Sequence, residues 1–135
     1  MRRCLDSTFL TEVVRGEEHA VNALRQWVAD GDELVMASVS CYEIGVGIAR
    51  LGAKSARKRA AAWNALTAGI ECADFSATSA DVAASLQAVL LSHGRPAPMA
   101  DLFIAATAAS HGCDVLVTRD QEDFRRIGLV PVESH

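Results

Sequence analysis

The feature that most constrains the fold is an alternation of short apolar runs with segments of helical periodicity along the whole chain. Between the runs, apolar residues recur every three or four positions, which is typical of helices with one buried face. We interpret five runs as strands, at residues 3–5, 34–37, 70–75, 113–118 and 129–132. Such alternation favours parallel pairing. The pattern therefore predicts one α/β domain over residues 1–135, with a central, mostly parallel sheet of about five strands.

The helical segments are bounded by recognisable signals. Gly31 stands where a left-handed C-terminal cap would end the second helix, and the prolines of the segment "RPAP" form a rigid connector before the sixth. The predicted helices cover residues 9–14, 20–28, 38–51, 53–68, 78–93, 101–112 and 119–127. With 50% hydrophobic and only 5% aromatic residues, the core must be built mainly from Ala, Val, Leu and Ile.

The overall charge limits the class of function. A formal net charge of −4 argues against a protein that coats nucleic acid by charge alone, but it leaves room for an enzyme that acts on RNA. The basic run from Arg50 to Arg59 is best interpreted as a solvated helix face. No signal peptide and no apolar run of about 18 residues is present, so we expect a soluble, cytoplasmic protein without a membrane partner.

Acidic residues recur where the predicted strands end and where helices begin. Asp6 follows the first strand, and Glu43 lies in the first turn of the helix after the second strand. Asp101 begins the helix that leads into the fourth strand, Asp120 follows that strand, and Asp123 lies one turn further. In a parallel sheet these positions all reach the carboxyl edge, where open α/β folds form their sites.

Several carboxylates in one pocket repel one another unless some are protonated or a cation neutralises them. A set of oxygen ligands without His or Cys suits Mg²⁺, with Mn²⁺ as a second choice, better than Zn²⁺. Such a site can hydrolyse phosphodiesters, because the metal offsets charge on the phosphate and activates water.

Four segments, in this order and at these separations, resemble the PIN-domain ribonucleases, and more narrowly the VapC-type toxins of bacterial toxin–antitoxin pairs. These segments are "CLDSTFL", "SVSCYEIGVGIARLG", "PAPMADLFIAATAASHG" and "LVTRDQEDFRRI". The resemblance covers residues 3–132. It implies a PIN-like three-layer α/β/α fold and a Mg²⁺-dependent endoribonuclease with an RNA substrate. It also implies a homodimer and a cognate antitoxin that blocks the site.

The resemblance also implies roles for individual residues. The acids of the family match Asp6, Glu43, Asp101 and Asp120, while the hydroxyl-bearing Ser7 and Thr118 match positions that help to hold the pocket. In many relatives the position of Asp120 is Asn and the acid at Asp123 matches instead, so either residue could face the metal. In this hypothesis Asp6 and Asp101 hold the first ion, and the other acids complete the site and orient water. Arg119, beside the pocket, is a possible contact for an RNA phosphate.

Each acid also has a simpler structural interpretation. Asp6 and Asp120 could be helix N-caps, and Asp101 could favour the positive end of a helix dipole. Ser40 and Glu43 have the spacing of a capping box, with Ser38 as an alternative cap. Asp123 could be a solvated helix acid. The four histidines are interpreted as structural or solvent-exposed: His19, His93, His111 and His135.

Two other functions fit the pattern less well. A phosphohydrolase of small phosphate esters could use the first Asp as nucleophile, but the usual second Asp is replaced by Thr8. A non-catalytic PIN-like interaction module would be expected to have lost acids. The segment "GVGIARLG" resembles a dinucleotide-binding fingerprint only faintly, because its glycines lie inside a helix. Gly45 and Gly47 would be explained by the close approach of another helix or of an antitoxin segment.

Overall fold

The computed structural model describes residues 1–135 and contains five strands and seven helices. The strands are β1 (Arg2–Leu5), β2 (Glu33–Ala37), β3 (Glu71–Ala73), β4 (Val115–Val117) and β5 (Val132–Glu133). The helices are α1 (Ser7–Val14), α2 (Glu18–Ala29), α3 (Ser38–Ala49), α4 (Ala53–Thr67), α5 (Ala77–Ser92), α6 (Met99–Ser110) and α7 (Gln121–Ile127).

All five strands run parallel, in the order β3-β2-β1-β4-β5. The chain builds the sheet outward from β1 through β2 to β3, and then crosses to the other side of β1 to add β4 and β5. The order therefore reverses between β1 and β4. In open α/β sheets a crevice forms at such a switch point, beyond the carboxyl ends of the strands.

Neighbouring residues of the central strands pack into different cores, because side chains alternate between the two faces of a sheet. On β1, Cys4 packs with α5, α6 and α7, whereas Leu5 packs with α1, α2 and α3. On β4, Leu116 and Val117 divide in the same way. The sheet is covered on both faces, and the predicted three-layer α/β/α architecture is confirmed.

The ends of several elements differ from the sequence prediction. Helix α6 begins at Met99 with Pro98 at its N-cap, so Asp101 is its third residue and not its first. Strand β4 is shorter than predicted, and β5 lies at 132–133 instead of 129–132. Proline cannot donate a backbone hydrogen bond, which explains why Pro131 precedes the last strand.

The predicted capping box at the start of α3 is absent. The helix begins at Ser38 with Ala37 at its N-cap, so Ser40 and Glu43 both lie inside the helix. The hydroxyl of Ser40 is buried without a hydrogen-bond partner. Ser38 is not a cap either, because its Oγ accepts a 3.2 Å hydrogen bond from the backbone N–H of Phe75. The side chain of Glu43 is therefore available for other contacts.

One helix lies entirely at the surface. Helix α4, which contains most of the basic run, has no buried residue, in agreement with a solvated face. None of the seven helices combines the length and the apolar character that crossing a bilayer requires.

Candidate functional site

Asp6 lies at the centre of the site, at the junction of β1 and α1. Its backbone N–H donates a 3.0 Å hydrogen bond to the carbonyl of Val117, which extends the pairing of β1 with β4 by one residue. Asp6 occupies the N-cap position of α1, but its side chain makes no cap hydrogen bond. The residue is only 3% exposed. The side chain therefore does not serve the helix, and the simpler cap interpretation does not account for it.

Hydroxyl groups surround the buried carboxylate of Asp6. Thr118 donates a 2.7 Å hydrogen bond to Oδ2, Thr8 donates one of 3.0 Å to the same oxygen, and Ser7 lies 3.3 Å from Oδ1. A buried charge is costly unless hydrogen bonds replace its hydration. Because these donors are neutral, they hold the carboxylate in place without neutralising it.

Thr118 also orders the loop that follows β4. Its hydroxyl oxygen accepts a 3.0 Å hydrogen bond from the backbone N–H of Asp120. The same hydroxyl donates its proton to Asp6. One fully buried side chain therefore joins the segment after β4 to the junction of β1 and α1. The predicted supporting role of Thr118 stays a prediction, and these two hydrogen bonds are the contacts through which it would act.

Ser7 connects Asp6 to Glu43. The hydroxyl of Ser7 donates to Oε1 of Glu43 at 3.1 Å and also contacts Oδ1 of Asp6. Burial raises the pKa of Glu43, the hydrogen bond from Ser7 opposes this, and the charge of Asp6 raises it further. The first turns of α1 and α3 thus bring two carboxylates to one polar cluster.

Asp101 experiences the negative charge of the whole group. Burial raises its pKa to about 6, and the charges of Asp6, Asp120, Asp123 and Glu43 add to that effect. The carboxylate oxygens of Asp101, Asp120 and Asp123 lie within 4.8 Å of one another. The five predicted acids therefore meet at the carboxyl edge of the sheet, beside the switch point between β1 and β4.

Asp120 and Asp123 differ in their partners. Asp120 is exposed and occupies the N-cap position of α7 without a side-chain cap hydrogen bond. Asp123 is half-buried, and its Oδ1 lies 3.4 Å from Nη2 of Arg126. Arg126 is itself held by the backbone carbonyl of Arg95 at 2.7 Å. Of these two acids, Asp120 is the one without a cationic partner within the chain.

The donor set of this cluster fits a hard divalent cation. Hydroxyl oxygens make every hydrogen bond to the Asp6 carboxylate, and after burial the charges of four neighbouring acids contribute to the raised pKa of Asp101. Mg²⁺ and Mn²⁺ prefer such oxygen ligands, and a divalent charge would offset the mutual repulsion of the acids. The residues present can therefore hold one of these ions.

Two contacts near the site are not evident from the sequence. Thr8 is one of the groups that hold the carboxylate of Asp6. The only sign of this role in the sequence is a hydroxyl-bearing residue two positions after Asp6. The guanidinium of Arg119 lies against Oε1 of Glu12 and 3.2 Å from Nε2 of His19. The predicted phosphate contact of Arg119 therefore stays a prediction, in competition with an ion pair.

Comparison with protein families identifies one match. The family model described as "PIN domain" matches residues 3–129. No relative among the curated proteins matches the chain.

Several solved structures share the fold. VapBC2 from Rickettsia felis, bound to a DNA fragment from its promoter, superposes with a TM-score of 0.88 at 21% identity, covering 100% of this chain and 99% of that one. DNA-bound VapBC from Salmonella typhimurium superposes with a TM-score of 0.86 at 21% identity, covering 99% of this chain and 98% of that one. VapC20 from Mycobacterium tuberculosis, a sarcin-ricin loop cleaving toxin, superposes with a TM-score of 0.65 at 20% identity, covering 97% of this chain and 98% of that one. At these identities the likeness concerns the fold.

Proposed function

The chain belongs to the PIN domain family, and from this premise we propose that it is a divalent-metal-dependent endoribonuclease, a VapC-type toxin restrained by a cognate antitoxin. The observation that carries the proposal is the meeting of five acids beside the switch point of a parallel sheet. They are Asp6, Glu43, Asp101, Asp120 and Asp123. The RNA-cleaving toxin among the structures of the same fold supports the choice of substrate.

In the proposed site, Asp6, Asp101, Glu43 and Asp120 hold Mg²⁺, for which Mn²⁺ can substitute. When bound, the ion supplies positive charge that favours attack of water on an RNA phosphodiester and stabilises the departing oxygen. The hydroxyls of Thr8 and Thr118 fix the position of Oδ2 of Asp6 before any substrate arrives. Such fixed geometry is what electrostatic stabilisation of a transition state requires.

Glu43 is suited to orienting the attacking water and accepting its proton. Burial raises its pKa, and a higher pKa is the direction that favours accepting a proton from water. Ser7 holds Oε1, so Oε2 is the oxygen that can face water. Asp123 assists from the other side of the cluster, where Arg126 limits its charge. No Ser, Cys or His nucleophile is required.

The antitoxin is proposed to bind beside the acids. A groove of about 470 Å³ runs between α1, α3 and α4, with Glu43 at its margin and Gly47, Ile48 and Leu51 along its wall. A Cβ added at Gly45 or Gly47 would meet nothing within 4 Å, so no helix of this chain explains either glycine. A partner helix that packs closely on α3 along this groove would explain Gly47, whereas Gly45, two residues earlier, lies on a different side of the helix. Structures of VapBC complexes among the shared folds support this choice of partner.

We further propose that residues 1–135 work as a single domain, in a homodimer and in the cytoplasm. What supports self-association is a pair of exposed apolar side chains near the acids, Tyr42 at 72% and Met99 at 68% exposure. Large exposed apolar groups that adjoin one another often mark interaction surfaces.

The test compares Asp101→Asn with Asp81→Asn, an exposed acid of α5 that serves as a matched control. Purified variants are incubated with a structured RNA and with a generic phosphate ester, in Mg²⁺ and in chelator. We expect RNA cleavage that needs Mg²⁺, that is lost in Asp101→Asn and that persists in the control. Circular dichroism verifies that both variants are folded.

The competing functions give different results in the same experiment. Cleavage of the phosphate ester and not of RNA would support a phosphohydrolase with Asp6 as nucleophile. Absence of both activities across a broad panel of RNAs would favour a non-catalytic module. Full RNA cleavage by Asp101→Asn would refute the assigned site.

A further inference from the structure

A second cluster of metal-ligating side chains lies outside the five-acid site. It consists of Glu12 from α1, His19 from α2 and His135, which follows β5; one ligand atom of each lies within 4.8 Å of the other two. Nε2 of His19 lies 3.1 Å from Oε2 of Glu12, and Nε2 of His135 hydrogen-bonds to the same oxygen. We propose that Glu12, His19 and His135 form a second metal site, which binds Zn²⁺ or a chemically similar ion.

Two of the three ligands are fixed by packing. Glu12 is 6% exposed, and the side chain of His135 is completely covered. The imidazole of His135 packs edge-on against Phe9, with ring centroids 4.7 Å apart. Its Nδ1 has no hydrogen-bond partner, so the only polar contact of this buried ring points into the cluster. His19 is half-exposed and can adjust to an ion that enters from solvent.

The ring nitrogen Nε2 of His19 faces two groups with which it cannot hydrogen-bond at the same time. Nε2 faces the carboxylate of Glu12, which only accepts when ionised, and the guanidinium of Arg119 at 3.2 Å, which only donates. A single ring nitrogen cannot donate to the first and accept from the second at the same time. An ion between the Nε2 atoms and Oε2 would instead take the lone pairs of all three ligand atoms.

The ligand types select the metal. Two imidazole nitrogens and one carboxylate oxygen form a set that Zn²⁺ uses, with a fourth position left for water. Ligand atoms bonded to one ion at about 2.1 Å lie no more than about 4.2 Å apart, and the 3.1 Å between His19 and Glu12 is within that range. The five-acid site, with oxygen ligands alone, favours Mg²⁺ instead. The two clusters are therefore expected to discriminate between the two ions.

Arg119 is the competitor for this site. Its guanidinium contacts Oε1 of Glu12, leaves Oε2 to the histidines, and adds positive charge close to where the ion would bind. Removing that charge should strengthen metal binding. A merely structural hydrogen-bond network would show no such gain in metal affinity. Arg119→Met is therefore expected to raise the affinity, whereas substitution of a ligand is expected to lower it.

The experiment uses tag-free, chelator-treated protein, titrated with ZnCl₂ by calorimetry and with Co²⁺ by visible absorption. We expect saturable binding of one Zn²⁺ at this cluster, a rise in Tm, and a Co²⁺ spectrum typical of nitrogen and oxygen ligands. His19→Gln and Glu12→Gln should weaken binding by about tenfold or more, and Arg119→Met should strengthen it. His93→Gln, at the exposed C-cap histidine of α5, is the matched control and should bind like the unchanged protein.

Asp101→Asn separates this site from the acidic one and should leave the Zn²⁺ affinity unchanged. Absence of saturable Zn²⁺ binding, or equal affinity in the unchanged protein and in a correctly folded His19→Gln variant, would overturn the proposal. Loss of Zn²⁺ binding in Asp101→Asn would overturn it as well, because the ion would then belong to the five-acid site.

Discussion

The hydroxyl of Thr118 donates a 2.7 Å hydrogen bond to Oδ2 of Asp6, and the two residues lie 112 positions apart in the chain. The bond joins the carboxyl ends of β1 and β4, the two strands at which the order of the sheet reverses. Both partners are buried, Asp6 at 3% and Thr118 at 0% exposure. The position of the central acid thus depends on a neutral side chain from the other half of the fold.

Thr118→Val should weaken both the fold and the site. Valine keeps the shape but removes one donor to Asp6 and the acceptor for the backbone N–H of Asp120. Leaving buried polar groups unpaired costs about 1–3 kcal/mol of unfolding free energy. Urea denaturation measures that loss, and a Mg²⁺ titration should show weaker binding. Thr118→Ser, which keeps the hydroxyl, should retain most of the stability and most of the Mg²⁺ affinity.

The exposed Thr78 of α5 offers the control for this substitution, since Thr78→Val removes a hydroxyl that serves no buried group. A Thr118→Val variant as stable as Thr78→Val, with unchanged Mg²⁺ affinity, would contradict the role given to the Thr118 hydroxyl.

Asp101→Asn should stabilise the metal-free protein. The substitution removes one charge from a group in which burial and four other acids already raise the pKa of Asp101 to about 6. Relief of that repulsion should raise the Tm at pH 7.5 in chelator by about 3–6 °C per kcal/mol gained. Mg²⁺ should raise the Tm of the unchanged protein and have little effect on the variant. A lower Tm for the metal-free variant would show that the acids do not repel one another as described.

The positions of the acids could be predicted from sequence because they depend on topology alone. Once β1 and β4 are taken as parallel strands, Asp6 and Asp120 must end at the same edge, whatever the loops do. The start of α6 adds Asp101 to that edge, even though the predicted helix began two residues too late. Periodicity and strand direction are properties that a sequence pattern carries directly.

The partners of those acids could not be predicted in the same way. The Ser40–Glu43 spacing of a capping box was misleading, because the helix starts at Ser38 and a boundary error of two residues changes every cap assignment. The contact of His19 with His135 depends on where the last residues fold back against α1. No local pattern encodes that approach.

Asp32→Asn should lower stability near neutral pH and have less effect in acid. Nε of Arg3 lies 2.6 Å from Oδ2 of Asp32, and this hydrogen bond holds the pKa of Asp32 below its usual value. The unfolded chain therefore binds more protons as the pH falls. The stabilisation is complete above the unfolded pKa of about 3.9 and is lost as the pH falls through the lowered value.

Equilibrium unfolding at pH 7 and pH 3 measures this difference. Asp30→Asn is the matched control, because Asp30 is an exposed acid two residues earlier that contacts Gln26 and no cation. A stability difference between Asp32→Asn and the unchanged protein that is the same at both pH values would contradict the assigned ion pair.

Asp120→Asn should reduce Mg²⁺ affinity more than Asp123→Asn does. Both carboxylates lie within 4.8 Å of Asp101, but only Asp123 has a cationic neighbour, Arg126 at 3.4 Å. An acid whose charge is already partly balanced gains less from a divalent ion, whereas the unpaired Asp120 gains its full attraction. Calorimetric titration with Mg²⁺ gives the ranking directly, and we expect RNA cleavage to follow it.

A double substitution tests the physical reason for ranking Asp120 above Asp123 in Mg²⁺ affinity. If Arg126 is what limits Asp123, then Arg126→Met should raise Mg²⁺ affinity in the Asp120→Asn background, because Asp123 can then replace the missing ligand. The Arg126→Met variant alone serves as the control for loss of its hydrogen bond to the carbonyl of Arg95. Equal losses in Asp120→Asn and Asp123→Asn, with no recovery in the double variant, would mean that both acids bind the ion and that Arg126 does not choose between them.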